Sequence, residues 1–246
     1  SNLFRKGQKY IDKSIGKIFV WFHLPEVHQG WSPPKSFSGL FSKNISSNVS
    51  SNQMQKEFAQ LNLTEEDIKY IRARYDEELK YVDYEIGKFL KELKSKDIYD
   101  DSLLIITSDH GEDLMEHGHI GHGLGLQEVL VNIPLLIKFP NNRFEGKNIE
   151  EPVSLKDIFP TISDLTGYES RDLKGISLID IIKGKSTRQS VTTQKHGEIA
   201  IRTKNLKFLL SNETSWINKS GHYNLERHET PILKFHNLTE DPIEKN

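Results

Sequence analysis

Four of the chain's 10 histidines fall between His110 and His122. Asp109 and His110 follow directly on the apolar run Leu103–Thr107 (LLIIT), and Glu116-His117-Gly118-His119-Ile120-Gly121-His122-Gly123 sets three more imidazoles close together. A carboxylate and an imidazole in adjacent positions at a strand end can both turn toward one metal ion. Asp suits hard cations, and His suits borderline ones. Two blander readings stay open. Asp-His after a strand also serves as a helix cap with a hydrogen-bonded neighbour, and a glycine-spaced histidine run is also a flexible loop with incidental metal affinity. His23 and His28 trail a second apolar run, Ile18–Phe22 (IFVWF). His23, immediately after that run, reads as a packed residue, and His28 as the freer of the two. His196, His222, His228 and His236 read as solvent-facing bystanders. After His110 the chain runs Gly-Glu-Asp-Leu, which lacks the spacing of a zinc-protease helix. No dinucleotide-binding or phosphate-loop glycine pattern occurs.

The elements that must carry these residues alternate. IFVWF and LLIIT are short, β-branched and continuous, as in strands buried on both faces. A third such run is Pro134–Phe139 (PLLIKF). Between the first two lies a long helix, Thr64–Lys94. Thr64 is a suitable N-cap, Glu65, Glu66 and Asp67 oppose the helix dipole, and Ile68, Ile71, Tyr75, Leu79, Val82, Ile86, Phe89, Leu90 and Leu93 recur on one face. Ser36–Gln53, rich in Ser and Asn, reads as a surface loop. Ser154–Leu165 reads as a helix with Pro160 early in it. Glu198–Thr203 and Leu206–Leu210 read as strands joined at Lys204-Asn205. The order predicts a mostly parallel α/β sheet flanked by helices over 1–185, holding Ile18–Phe22, Leu103–Thr107 and Leu135–Phe139, with a small antiparallel subdomain over 186–246. In open α/β sheets ligands bind beyond the carboxyl ends of the strands, where Asp109, His110 and His28 would lie.

Composition narrows the chemistry. The 246 residues suffice for a sizeable core. With 33 basic and 35 acidic residues the formal net charge is −2, which argues against a nucleic-acid binder. Cys is 0, which excludes disulfide scaffolds, thiolate zinc sites and cysteine nucleophiles from this chain. No apolar run approaches the roughly 18 residues of a membrane span, and the opening residues lack the apolar core of a secretory signal. Asn-x-Ser/Thr triplets at Asn44, Asn48, Asn62, Asn212, Asn218 and Asn237 follow from an Asn- and Ser-rich composition as readily as from glycosylation. The expected setting is prokaryotic, cytoplasmic or extracytoplasmic.

Taken in order, the segments resemble the sulfatase family of the alkaline-phosphatase-like superfamily. The resemblance rests on IFVWFHLPEVHQGWSPP (Ile18–Pro34), YDEELKYVDYEIGKFLKEL (Tyr75–Leu93), SLLIITSDHGEDLMEHGHIGHG (Ser102–Gly123), NIPLLIKFP (Asn132–Pro140), VSLKDIFPTISDLTG (Val153–Gly167), GISLIDIIKG (Gly175–Gly184) and FHNLTEDPIEKN (Phe235–Asn246). It covers the later two-thirds of the family's pattern. It implies that Asp109 and His110 are metal ligands, that His28 meets the ester oxygen or leaving group, and that His122 holds the sulfate. It implies a divalent metal, normally calcium. His110, where many members have Asn, points toward manganese or zinc. His117 and His119 are loop positions near the site.

The family also carries an earlier block with paired metal aspartates and a Cys/Ser-x-Pro-x-Arg segment, whose Cys or Ser becomes formylglycine. That pattern is absent here; Ser32-Pro33-Pro34-Lys35 does not fit it. The expectation is therefore the C-terminal part of a metal-dependent sulfatase acting on a sulfate-ester small molecule or glycan. It would be inactive alone and would be completed by the N-terminal segment of the same enzyme. The alternatives are a phosphodiesterase or a phosphoglycerol or phosphoethanolamine transferase of the same superfamily, or a non-catalytic metal- or partner-binding module.

Overall fold

The computed structural model describes residues 2–245 except 29, 51–62, 124, 169–173, 196 and 218–222, and describes only the backbone over 213–217 and 223–229. It divides into two compact units, residues 1–102 with 119–121, and residues 103–118 with 122–246.

The first unit is built on two helices, α1 (Asn2–Lys13) and α2 (Glu65–Ser95). Helix α2 starts where the sequence predicts. The Thr64 hydroxyl accepts from the Asp67 N–H, and the Asp67 carboxylate accepts from the Thr64 N–H. Its apolar stripe buries Ile71, Val82, Phe89 and Leu93, whereas Leu79 is exposed. Phe4 of α1 stacks on Phe89 at 5.1 Å, and Phe22 meets both rings at 5.0 and 5.1 Å. Gly7 allows this packing, because a Cβ there would lie 2.2 Å from the Phe22 ring.

Helix α2 also fastens the loops that precede it. Buried Glu77 accepts from the N–H groups of Phe41 and Ser42 and from the Ser42 hydroxyl, at 2.8–3.0 Å. Arg74 pairs with Glu77 at 2.8 Å, and donates to the Ser38 hydroxyl and the Trp31 carbonyl. The expected Ser36–Gln53 loop is indeed non-regular up to Ser50, but it is pinned by buried hydrogen bonds. Its last residues, 51–53, lie outside the described ones.

The second unit holds β1 (Leu104–Thr107), a one-turn helix α3 (Glu128–Val131), β2 (Leu135–Lys138), α4 (Ile158–Thr166), α5 (Leu178–Ile182) and four C-terminal strands: β3 (Val191–Lys195), β4 (Glu198–Arg202), β5 (Leu206–Ile217) and β6 (Tyr223–Asn237). The C-terminal strands form one antiparallel sheet in sequence order, and the β4–β5 hairpin turns near Lys204-Asn205 as expected.

The parallel sheet expected of the three apolar runs is not what forms. β1 and β2 pair antiparallel, Leu104 opposite Lys138 and Thr107 opposite Leu135. A parallel return needs a crossover of a dozen residues or more that carries the chain back to the same end, usually a helix. Among the described residues the link over 108–134 has two two-residue strands, Asp113–Leu114 and Ile120–Gly121, and no helix longer than the single turn of α3, so the chain doubles back instead. Ile18–Phe22 forms no strand and joins no ladder among the described residues. Phe22 turns into the aromatic cluster, while Phe19 and Trp21 are 70% and 77% exposed. Among the described residues no helix is long and apolar enough to cross a membrane.

Candidate functional site

Beyond Thr107 the chain leaves β1 as Ser108-Asp109-His110-Gly111 and lies against α3. The Gly111 N–H donates to the Leu130 carbonyl at 2.8 Å. A Cβ on Gly111 would sit 2.0 Å from the Val129 carbonyl oxygen, so only glycine allows this approach. That contact sets the direction in which the next side chains leave the backbone.

Asp109 is 75% exposed at its side chain, and one carboxylate oxygen accepts from the His110 N–H at 3.1 Å. His110 Nδ1 faces the Gly111 carbonyl at 2.9 Å. This assigns the hydrogen to Nδ1 and leaves Nε2 as the ligating nitrogen. Nε2 lies 3.9 Å from Asp109 Oδ1. Two donors at that separation can share one cation. The His110 ring stacks on His122 at 4.3 Å between centroids and 30° between planes.

His122 is in turn held by Glu112. Its Nδ1 meets the buried Glu112 carboxylate at 2.8 Å. A carboxylate on one ring nitrogen fixes the imidazole's orientation, so chemistry by His122 runs through Nε2. Lys195 of β3 donates to the Gly123 carbonyl and brings a cationic group to the same loop.

His117 has a different task. Its Nδ1 meets fully buried Asp113 at 2.7 Å, and its Nε2 donates to the Ile243 carbonyl at 2.8 Å. Both nitrogens are occupied, so His117 ties the C-terminal segment down and is not available as a ligand. His119 is half-buried. His28 belongs to the first unit. It is exposed, and its N–H closes the turn Pro25–Val27 on the Pro25 carbonyl. Trp31, 1% exposed, backs that turn by donating from Nε1 to the Val27 carbonyl at 3.0 Å. His23 is exposed rather than packed, because the segment before it joins no sheet. His236 is half-buried rather than a solvent-facing bystander, with Nδ1 enclosed. His196 and His222 lie outside the described residues, as does the His228 side chain.

The structure thus brings Asp109, His110 and His122 together. The sequence reading had missed Glu112 and Asp113 as the groups that orient the histidines. The available signal was spacing: each acid lies a short loop away from its histidine in a run already rich in both. The donor set fits a divalent metal only in part. Calcium takes six to eight oxygens. Among the described residues no group of three or more His, Asp or Glu side chains converges as a metal cage. A metal ion held by Asp109 and His110 would need further ligands beyond these two.

The family model described as Sulfatase matches residues 1–168. The mouse (Mus musculus) arylsulfatase K is 30% identical over 176 residues, which is 70% of this chain and 28% of that protein. The chain therefore spans under a third of the length of that curated relative. Among solved structures, the phosphonate monoester hydrolase of Agrobacterium radiobacter superposes on 99% of this chain and 55% of its own, with a TM-score of 0.74 at 21% identity. A protein described as a 2-O GAG sulfatase superposes on 95% of this chain and 49% of its own, with a TM-score of 0.59 at 20% identity. At such identities these likenesses concern the fold alone.

Proposed function

The chain belongs to the sulfatase family, and on that premise we propose that it is part of a metal-dependent sulfuric ester hydrolase. The observation that carries the reading is the Asp109–His110–His122 cluster, with Nε2 of His110 and the Asp109 carboxylate turned outward 3.9 Å apart. In this reading both are ligands of a divalent ion, calcium or, given the imidazole, manganese or zinc. When bound, that ion offsets negative charge on the ester's oxygens. His122, steadied by Glu112, holds the sulfate group through Nε2. On the family resemblance alone, His28 is given the role of protonating the leaving alcohol, which makes it a better leaving group.

The nucleophile has no counterpart among these residues. A Cys- or Ser-derived formylglycine would have to be supplied by sequence not contained here, as would further metal ligands. The substrate class that fits is a sulfated small molecule or glycan, in keeping with the family and the arylsulfatase relative. Taken alone, these 246 residues are expected to be inactive.

The test is hydrolysis of an aryl sulfate and of the matching aryl phosphate by a polypeptide that joins these residues to the Cys/Ser-x-Pro-x-Arg block. Sulfate turnover that falls at least 100-fold in Asp109→Ala is expected, as ligand and orienting groups commonly carry effects of that order or more. Preference for the phosphate would move the assignment to phosphoryl chemistry. Turnover indifferent to Asp109→Ala would remove the metal reading.

A further inference from the structure

The segment that follows β6 returns to the loop that carries the candidate site. Asn237 opens a turn there. Its side-chain oxygen accepts from the Thr239 N–H at 3.1 Å, and its carbonyl accepts from the N–H groups of Glu240 and Asp241. Pro242 comes next, and the two residues after it, Ile243 and Glu244, meet two different parts of the loop.

The first contact is made by the main chain. The Ile243 carbonyl accepts from His117 Nε2 at 2.8 Å, while His117 Nδ1 meets fully buried Asp113 at 2.7 Å. Asp113 is the direct neighbour of Glu112, the carboxylate that orients His122 through Nδ1. The second contact is made by a side chain. Glu244, 8% exposed, accepts from the N–H of Glu128, the first residue of α3, at 2.6 Å, and pairs with Lys207 at 3.0 Å. Within α3 the Leu130 carbonyl accepts from the Gly111 N–H at 2.8 Å, and the Gly111 carbonyl faces His110 Nδ1 at 2.9 Å.

We propose that Ile243 and Glu244 are positioning residues for the candidate site: through His117 and Asp113 the first holds the arm that orients His122, and through α3 the second holds the arm that orients His110. The proposal deepens the hydrolase reading and rests on it for its bearing on turnover.

Three observations carry it. The first is convergence. These contacts join residues 126 and 116 positions apart, yet they start from adjacent residues and end at the two rings that stack at 4.3 Å. The second is backbone conformation. Glu244 has φ of 56°, in the left-handed region that side chains other than glycine seldom adopt, so its surroundings must hold it there. The third is the kind of bond. The 2.6 Å bond to the Glu128 N–H needs an acceptor oxygen and no charge, so it is separable from the ion pair with Lys207.

That separation supplies the test. Nitrogen spectra of the imidazole rings, recorded on the 246-residue chain at about pH 8, give the ratio of the Nδ1–H to the Nε2–H tautomer. The native chain should hold His110 as Nδ1–H, which leaves Nε2 to bind a metal. Glu244→Ala removes the acceptor, and the His110 ratio should fall about tenfold. Glu244→Gln keeps an acceptor oxygen and should keep the ratio, although it loses the ion pair and is less stable in urea. His117→Asn tests the other arm. The Asn amide takes the place of Nδ1 toward Asp113, while the Ile243 carbonyl loses its donor, and the His122 ratio should fall about tenfold. In the polypeptide joined to the Cys/Ser-x-Pro-x-Arg block, kcat should follow the same order, with Glu244→Gln near native and Glu244→Ala lowered about tenfold.

A native His110 ratio that survives Glu244→Ala overturns the proposal, as does a His122 ratio that survives His117→Asn. So does a Glu244→Gln variant that loses the ratio as fully as Glu244→Ala, because Glu244 would then act through its charge on Lys207 alone. The tautomer ratios need no turnover, so failure of the positioning role and failure of the hydrolase reading give different results.

Discussion

Two charged clusters of the second unit resemble each other in composition and differ in how they are completed. Around Lys207, the ammonium group donates to the Leu126 carbonyl, to Glu128 at 3.1 Å and to Glu244 at 3.0 Å, and Arg202 donates to the other Glu128 oxygen at 2.9 Å. Two cations and two carboxylates balance, and every charged group in the set has a protein partner. Around Asp109, the carboxylate and Nε2 of His110 are held in place on one side and turned outward on the other. A closed set stabilises a structure; a set left open on one side is arranged to take something else. The comparison teaches that residue types alone do not separate the two, while accessibility and partner count do.

The largest expected effect breaks the closed cluster. Lys207→Met removes one buried cation and leaves Glu128 and Glu244 facing each other without it. Losing one partner of a buried ion pair costs about 3–5 kcal/mol, and urea unfolding of the variant reads this directly. A loss under about 1 kcal/mol would mean that water replaces the ammonium group and that the cluster is not closed.

A buried carboxyl in the first unit tests the same contrast from the opposite side. Glu78 is 4% exposed, and its Oε2 has no hydrogen-bond partner among the described residues. Burial raises its pKa to about 7; Arg74 pulls it down only partly, and the Glu26 charge adds to the rise. Below the ordinary value of 4.5 the group is protonated in both folded and unfolded chains and contributes nothing. Between 4.5 and about 7 the unfolded chain releases the proton while the folded chain keeps it, so stability falls as pH rises. The loss is complete above about 7 and is worth roughly 3 kcal/mol. Glu78→Gln removes that slope. The difference in urea stability between variant and native chain should grow in the variant's favour from pH 5 to pH 8, and a flat difference would contradict the assigned burial.

Asp67 runs the other way. Bonds from the Ser47 hydroxyl, then from Thr64, hold its pKa down to about 2. Its contribution is present above the ordinary 3.8 and is lost as pH falls from there to about 2. Asp67→Asn should cost about 1 kcal/mol at pH 7, as for other helix N-terminal caps, and converge with the native chain near the acid end.

Legibility in the sequence follows the range of the forces involved. The Thr64 cap, the stripe from Ile71 to Leu93 and the Lys204-Asn205 hairpin are local, and short-range pattern fixes them. Asp109, His110 and His122 were legible as a cluster because they follow a strand and share one loop. Strand partnership was not: LLIIT and PLLIKF have the composition of parallel core strands, and nothing local says that the link over 108–134 doubles back. Buried Glu77, Arg74 and Lys207 were invisible for a related reason. Their burial depends on partners distant in sequence, at Ser42, Trp31 and Glu244. Helix α1 was missed because its apolar residues are few, and its packing rests on a Phe22 ring fitted over Gly7.

The smallest expected effect on stability falls on the residue that matters most to the proposed chemistry. The Asp109 side chain is 75% exposed, and its contacts are an N–H of the next residue at 3.1 Å and a loose approach to His110 Nε2 at 3.9 Å. Neither is desolvated, so Asp109→Ala should change urea stability by no more than about 0.5 kcal/mol. The His110–His122 stack and the Glu112–His122 bond do not involve the Asp109 carboxylate, so they should persist. In a proton–nitrogen correlation spectrum of the imidazole rings, the His122 signals should keep their positions while those of His110 move. If Asp109→Ala instead destabilises the chain by 2 kcal/mol or more, or disorders His122 as well, the cluster is held together in the manner of the Lys207 network. The distinction between a closed structural set and an open functional one would then fail at the place where it was drawn.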